Sequence, residues 1–451
     1  MATPSSRPRR GTSARRTSTR VVAVATAFGA VLAFAGVGTV TASSASAATT
    51  PSGTLNIAVS SGDASDAAFK ATNAAFEKKY PKVNIKFSSI PNNNYPAAKS
   101  SRLTAGNVDI LIAAPTQLPS YVSKGSESDD SLAADNGVFL DLTKQSFMKN
   151  FTPSLLKSIA YNGKQYTVPT GVSYYTGVFY NKTMFAKDGL TVPTTWNDFV
   201  ALSKKIQATG VSPLGIGGKD SWPAGLTMIS AVQGLHPTLA DKNALAKNIW
   251  KKKTSLTSST ATTILNRVNT MYSMAEPNFA GVSYAAVPAG FAAGKYAMTP
   301  DGTWDQPTVA AAVGSKFDVG YFPIPTSNKA SDNATLGGKV DLRLAVAAAT
   351  KNKTAALAYL SFFSSPKNYA KYVKMSGTAP AEPNIPASAF LTGISQYTKT
   401  FSPAWDTVWI PNSKAGASAT FPFNYAGLSP LGSDSVTTAA AASQKDWLAG
   451  F

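Results

Sequence analysis

Leu55-Asn56-Ile57-Ala58-Val59 is a short apolar run that stops in the small, polar loop Ser60-Ser61-Gly62-Asp63. A helical pattern follows, with Phe69, Phe76 and Tyr80 on one face and Pro81 closing it. Val83 to Phe87 then alternates as a half-buried strand does, and Val108-Asp109-Ile110-Leu111-Ile112 reads as a further buried strand stopped by Pro115. Strands separated by helices of this length predict a parallel sheet with helices on both faces. Ligands of such sheets gather beyond the carboxyl ends of the strands, here Ser60 to Asp63 and Ala113 to Gln117.

The same alternation continues outward along the chain. Thr195-Trp196-Asn197-Asp198 has the form of a capping box, and Phe199, Leu202 and Ile206 follow on one helical face until Gly210 ends it. Leu342 to Ala349 reads as a strand, and Ala356, Tyr359, Leu360 and Phe363 give another helix face ending near Pro366. No repeat of 20 to 50 residues is present, which argues against solenoids and propellers. At 451 residues the chain exceeds a single domain, so two α/β lobes are predicted.

Composition removes several chemistries. The absence of cysteine excludes disulfides, thiolate metal sites and a thiol nucleophile. A single histidine, His236, leaves no pair for a zinc site, and only four Glu, at 77, 127, 276 and 382, make carboxylate cages improbable. No cofactor or metal is expected. The formal charge of +19 includes six Arg and no acid within the first 47 residues; beyond them 36 basic and 23 acidic residues leave +13. Only Arg102, Arg267 and Arg343 remain as Arg there, and the Lys residues are scattered, unlike the clustered stripe of a nucleic-acid surface. A Lys-studded solvated face is the expectation.

The N-terminus carries Arg9, Arg10, Arg15, Arg16 and Arg20, then an apolar stretch from Val21 to Val40, then Ala45-Ser46-Ala47. Basic region, apolar region and Ala-x-Ala site predict an export signal cleaved after Ala47. The competing reading is a membrane anchor, which the many Ala and Gly residues disfavour.

Three segments are more specific than composition. They are Gly163-Lys164-Gln165-Tyr166-Thr167-Val168-Pro169, continuing through Tyr174 to Lys182 and Pro193 to Trp196; Phe291 to Trp304; and Gly337-Gly338-Lys339-Val340-Asp341 with the strand and helix after it. With the opening strand, the Tyr80-Pro81-Lys82-Val83 turn and the Ala105-Gly106-Asn107-Val108-Asp109 step, they resemble the extracellular solute-binding proteins of carbohydrate ABC importers, the family of maltose-binding protein. The resemblance runs from about Thr54 to about Pro380. It implies a two-lobed fold of type II, each lobe a mainly parallel sheet flanked by helices, joined by hinge strands and closing on a sugar. It also implies delivery of the unaltered sugar to membrane permease subunits, by a protein expected to be a monomer. Carried over, the architecture divides the chain into residues 48–173 plus 324–366 as lobe one and 174–323 plus 367–451 as lobe two, with crossings near Ser173, Pro323 and Pro366. All seven Trp then fall in lobe two, which suggests an aromatic platform there and polar groups opposite. Relatives in single-membrane bacteria often carry a lipidated Cys after the signal; here that Cys is missing, which leaves a freely diffusing or periplasmic protein, or one held by another contact.

Sugar recognition asks for such a split, because a pyranose has apolar faces and a rim of hydroxyls. Trp304 matches the family's stacking position in its Met-x-x-x-Gly-x-Trp segment, and Asp301 precedes it in the same turn, as a hydroxyl acceptor or a turn cap. Tyr174 matches a ligand-facing position that is a carboxylate in maltose-binding protein, a departure that points away from maltose; Tyr175 should face the other way. Trp222 is a candidate exposed indole in a loop. Asp63 and Ser61 end the first strand, where Asp63 serves the cleft or caps the helix. Asn93, Asn94 and Tyr95 after the second strand and Thr116 and Gln117 after the third are placed to reach the cleft. Asp341 and Arg343 share one face of a strand at i, i+2, either as a structural ion pair or facing the sugar.

Two other classes compete with a receptor. A secreted carbohydrate-active enzyme needs two carboxylates across a scissile bond, and no motif announces them. A surface adhesin would use a similar cleft.

Overall fold

Strand β1 (Gly53–Ser60) is an interior strand of the first lobe's sheet, buried on both faces. Leu55, Ile57 and Val59 point into one cluster, and Ala58 points into another on the opposite face. The computed structural model describes residues 50–451; the export signal expected at residues 1–47 lies outside the described residues. Strand β1 pairs in parallel with β2 (Val83–Ile90) and β3 (Ile110–Ile112). The helix Asp63–Lys79 crosses between β1 and β2, burying Phe69 and Phe76. Phe69 lies 4.9 Å from the Tyr372 ring and Phe76 lies 5.2 Å from that of Tyr359, so the helices Lys353–Phe363 and Pro366–Ser376 close this core.

From β4 (Thr167–Pro169) the chain passes through β5 (Val172–Tyr174) into β6 (Gly177–Asn181), the centre of a second sheet. That sheet runs β7 (Ser212–Leu214), β8 (Tyr296–Asp301), β6, β9 (Val319–Pro323). Val178 and Phe179 of β6 project to opposite faces, each into its own cluster. The helix Trp222–Leu235 is buried along nearly its whole length, as its apolar sequence requires, and forms the spine of this lobe. Between the lobes, β10 (Gly337–Val340) pairs with β5 on one side and β12 (Ser402–Pro403) on the other, and β11 (Arg343–Val346) returns to the first sheet.

The fold is the two-lobed α/β architecture expected, with two differences in detail. The sheets are mixed rather than mainly parallel. In the first, β11 runs antiparallel to β3 and β4; in the second, β6 runs antiparallel to β8 and β9. A strand entered directly from an interlobe crossing arrives at the opposite end of the sheet from one entered through a helix, and so runs in reverse.

The second difference concerns two lobe boundaries. Residues 324–336 stay with the second lobe: Ile324 is in its core, Thr326 Oγ1 donates to Ser230 O at 3.1 Å, and Asn333 Nδ2 donates to Thr194 O at 2.9 Å. The helix Pro366–Ser376 belongs to the first lobe, because Tyr369, Tyr372 and Val373 fill its core. The passage back therefore occurs at β10, about fifteen residues after Pro323, and the last crossing follows Ser376 rather than Pro366. Among the described residues no helix is long and apolar enough to cross a membrane.

Candidate ligand-binding cleft

A cleft of about 320 Å³ opens between the lobes. The first lobe borders it with residues 60–65, at the end of β1 and the start of the helix after it, and with Asn92. The second borders it with Tyr175, Trp222, Tyr284, Trp304, Asp305, Asp406, Phe421 and Tyr425, and the connecting strand β10 and the residues after it add Lys339, Asp341 and Leu342.

Four rings form a connected wall. Trp222 lies 4.6 Å from Tyr284 and 6.4 Å from Trp304, and Trp304 lies 5.4 Å from Tyr175, measured between ring centroids. A hydrogen-bond chain fixes the wall from behind: Trp304 Nε1 donates to Tyr284 OH at 2.9 Å, and Tyr284 OH donates to Asp301 Oδ1 at 3.2 Å. The Tyr284 backbone N–H donates to Asp220 Oδ2 at 2.7 Å. Gly302 is required beneath the indole, since a Cβ there would lie 2.3 Å from Trp304 Cζ3. Ser221, in the left-handed φ region at 62°, turns the chain directly before Trp222. Tyr175 OH donates to Asp406 Oδ1 at 2.6 Å. The Lys339 ammonium sits over the same wall, 5.3 Å from the Tyr175 ring and 5.4 Å from that of Trp304.

Two carboxyls lie at the base. Burial, then the neighbouring Asp305, holds Asp301 well above the usual carboxylate range. Burial pushes Asp305 up to about 6; the nearby Thr308 and Asp301 side chains pull it down, and the Asp63 charge from the other lobe pushes it up.

A second cavity of about 580 Å³ adjoins the first, sharing Lys339, Asp341, Leu342 and Asp406 with it. Thr116, Gln117 and Arg343 border this one, together with Phe401 and Trp409.

Of the residues singled out in the sequence, Ser61, Asp63, Trp222, Trp304 and Asp341 border the first cavity, and Thr116, Gln117, Asp341 and Arg343 the second. Asp341 and Arg343 do not pair with each other: Asp341 Oδ2 accepts from Ser173 Oγ at 2.8 Å, and among the described residues no carboxylate lies within 4.0 Å of Arg343. Asp63 is not a cap either, because Gly62 holds the N-cap position and Asp63 is the exposed first residue of the helix.

Four expectations are displaced. Tyr174 packs in the core behind the wall, near Phe401, and its neighbour Tyr175 takes the cleft side of the pair. Strand alternation allowed only one of the two to face the ligand, and the hydrophobic cluster around Phe179 and Tyr321 claims Tyr174. Asp301 supports Tyr284 from beneath instead of lining the cleft. Tyr95 is buried, its hydroxyl donating to Ile112 O at 3.0 Å and accepting from Ile112 N at 2.7 Å, so it ties its helix to β3. Asn94 is the N-cap of that helix and does not border the cleft; Asn92 does. The platform also draws on fewer indoles than expected, since Trp196, Trp250, Trp405, Trp409 and Trp447 are core residues of the second lobe. Tyr175, Tyr284, Asp305, Lys339, Asp406 and Tyr425 were missed. Lys339 alone carried a local signal, standing two residues before Asp341 on an extended segment.

The sequence profile of the bacterial extracellular solute-binding proteins matches residues 59–370. The chain belongs to that family. This solute-binding protein is 27% identical over 325 residues to the multiple sugar-binding protein of Streptococcus mutans, covering 70% of the chain and 72% of the relative. It is 28% identical over 268 residues to a probable sugar-binding periplasmic protein of Mesorhizobium japonicum, covering 56% of the chain and 60% of the relative. Its fold is similar to that of the solute-binding protein RafE in complex with raffinose, with a TM-score of 0.68, 23% identity, and coverage of 88% of this chain and 99% of that one. It is also similar to a sugar transporter of Bacillus licheniformis in complex with stachyose, with a TM-score of 0.70, 17% identity, and coverage of 87% and 98%.

Proposed function

We propose that this solute-binding protein captures a sugar or short oligosaccharide in the interlobe cleft and delivers it, chemically unaltered, to the permease subunits of an ABC importer. One observation carries the reading: a wall of Tyr175, Trp222, Tyr284 and Trp304 on one lobe faces the small polar groups Ser60, Ser61, Ser65 and Asn92 of the other. Flat rings cover the C–H faces of a pyranose, and short polar side chains satisfy its rim. A polar group of the cleft left without its hydroxyl partner costs about 1–3 kcal/mol, which makes the fit selective. The relatives named for sugar binding support the same reading. Residues 1–47 are proposed to direct export, so that the mature protein works outside the cytoplasm, as a monomer, without a lipidated Cys.

The test is titration of the mature protein with a sugar panel, followed by chromatography of the incubated sugars. Micromolar binding with a change in indole emission and intact sugar is the expected result. Turnover of any panel member would move the protein to the carbohydrate-active enzymes.

A further inference from the structure

The polar lining of the first cavity is unbalanced. Four carboxylates, Asp63, Asp305, Asp341 and Asp406, border it, and Lys339 is the one cationic side chain among the described residues that does. This acidic chamber sits in a chain whose net charge is +19. Among the described residues Lys339 forms no ion pair within 4.0 Å; the pairs there are Lys99–Asp130, Lys164–Asp141 and Lys329–Asp332. It rests instead over the rings of Tyr175 and Trp304.

Two of the carboxylates already have protein donors, Asp406 from Tyr175 OH and Asp341 from Ser173 Oγ. Asp305 is different. It is 5% exposed, and its Oδ2 is buried without a hydrogen-bond partner. Asp63 stands across from it on the other lobe, near enough for its charge to act on Asp305, and among the described residues no cation lies within 4.0 Å of either.

We propose that the sugar selected by this cleft carries an ammonium group, as an amino sugar or a short amino-sugar oligosaccharide, held between Asp305 of one lobe and Asp63 of the other with its ring against the aromatic wall. The proposal rests on the carbohydrate reading above and names the class within it. A hydroxyl brings an acceptor lone pair along with each donor, whereas an ammonium brings three donors and no acceptor, which matches a lining of carboxylate oxygens. Its hydrogen bonds to carboxylates are charge-assisted and about twice as strong as neutral ones. An ammonium also offsets the repulsion between Asp63 and Asp305 that opposes approach of the lobes, so recognition and closure share one cause. The aromatic wall tolerates a cation, because Lys339 already places one over two of its rings.

The test is calorimetric titration of the full chain, near neutral pH and fixed ionic strength, with matched ligands that differ at one substituent. The pairs are glucosamine and glucose, galactosamine and galactose, mannosamine and mannose, and the β-1,4 glucosamine trimer against both cellotriose and its N-acetylated form, alongside raffinose, stachyose and maltose as unmatched neutral sugars. In at least one pair the amine is expected to bind about tenfold tighter or more. Asp305→Asn is expected to remove that advantage while changing the neutral partner's affinity far less. Asp63→Asn, at an exposed helix start where folding is not at risk, is expected to do the same to a smaller extent. Neutral members that bind as tightly as amines in every pair, a neutral sugar that binds while all amines fail, or variants that weaken both members equally overturn the proposal and leave the sugar-receptor reading standing. If no sugar of either kind binds, the receptor reading itself fails and this inference with it.

Discussion

The wall from the second lobe and the wall from the first are held in place by different means. Three of the four rings of the former are fixed by hydrogen bonds, Trp304 by Tyr284, Tyr284 by Asp301 and Asp220, and Tyr175 by Asp406, and Trp222 packs on Tyr284 at 4.6 Å. The first-lobe wall consists of short side chains at the end of β1, in the first turn of its helix and, with Asn92, just after β2; there Ser61 N donates to Ile90 O at 2.8 Å and Ser65 Oγ donates to Gly62 O at 2.9 Å. One wall presents large area at little entropic cost, and the other presents hydrogen-bonding atoms close to the backbone. Affinity should therefore reside mostly in the aromatic wall, and discrimination among hydroxyl patterns mostly in the polar one.

The comparison also separates indoles that build the lobe from those that face the ligand. Trp447 is 1% exposed and its Nε1 donates to Ile249 O at 3.2 Å, so Trp447→Ala should lose about 3–5 kcal/mol of stability in denaturant unfolding. A loss below about 1 kcal/mol would erase the line between core and wall.

Next in size is the titration of Asp305. Its folded pKa is raised to about 6, so between roughly pH 4 and pH 6 the folded chain binds a proton that the unfolded chain does not. That contribution to stability is full below about pH 4 and lost as pH rises through 6, for a change of roughly 1–3 kcal/mol. Asp305→Asn has no such proton, so its stability relative to wild type should improve between melts at pH 4 and at pH 7; an unchanged difference would show that the carboxyl is solvated.

Trp304→Ala should weaken sugar binding at least about tenfold, or about 1.4 kcal/mol, while costing less stability than Trp447→Ala. An unchanged dissociation constant would take Trp304 out of the site. The smallest effects belong to the polar wall, where Ser61→Ala or Asn92→Ala should each lose about 0.5–1.5 kcal/mol of affinity and alter the ranking of sugars that differ at one hydroxyl. If both substitutions weaken every sugar alike, the polar wall does not discriminate.

Much of the fold was legible because burial leaves a period in the chain. The apolar run at β1, the Phe69 and Phe76 face, and the helix start at Thr195, whose side chain accepts from Asp198 N, all stand where the pattern placed them. Strand direction was less legible. A run such as Leu342 to Ala349 announces a strand but not which end of the sheet it enters, and β11 enters in reverse. The site was legible only where a motif reports it directly, as at Trp304 and the loop after β1.

Tyr174 and Tyr175 mark the limit. Their sequence requires that they face opposite ways, and only the packing of Phe179 and Tyr321 on one side and Asp406 on the other decides which way each goes. Tyr284, Asp406 and Tyr425 reach the cleft from separate segments, and no local pattern relates them to Trp304 or to Ser61. The order of strands and helices, the apolar faces and the two-lobed organisation thus follow from the sequence, because each residue's own burial is written in its spacing. Which side chains share a wall, which carboxylate goes without a donor and where an ammonium rests depend on distances between segments remote in the chain, and only the folded molecule sets those.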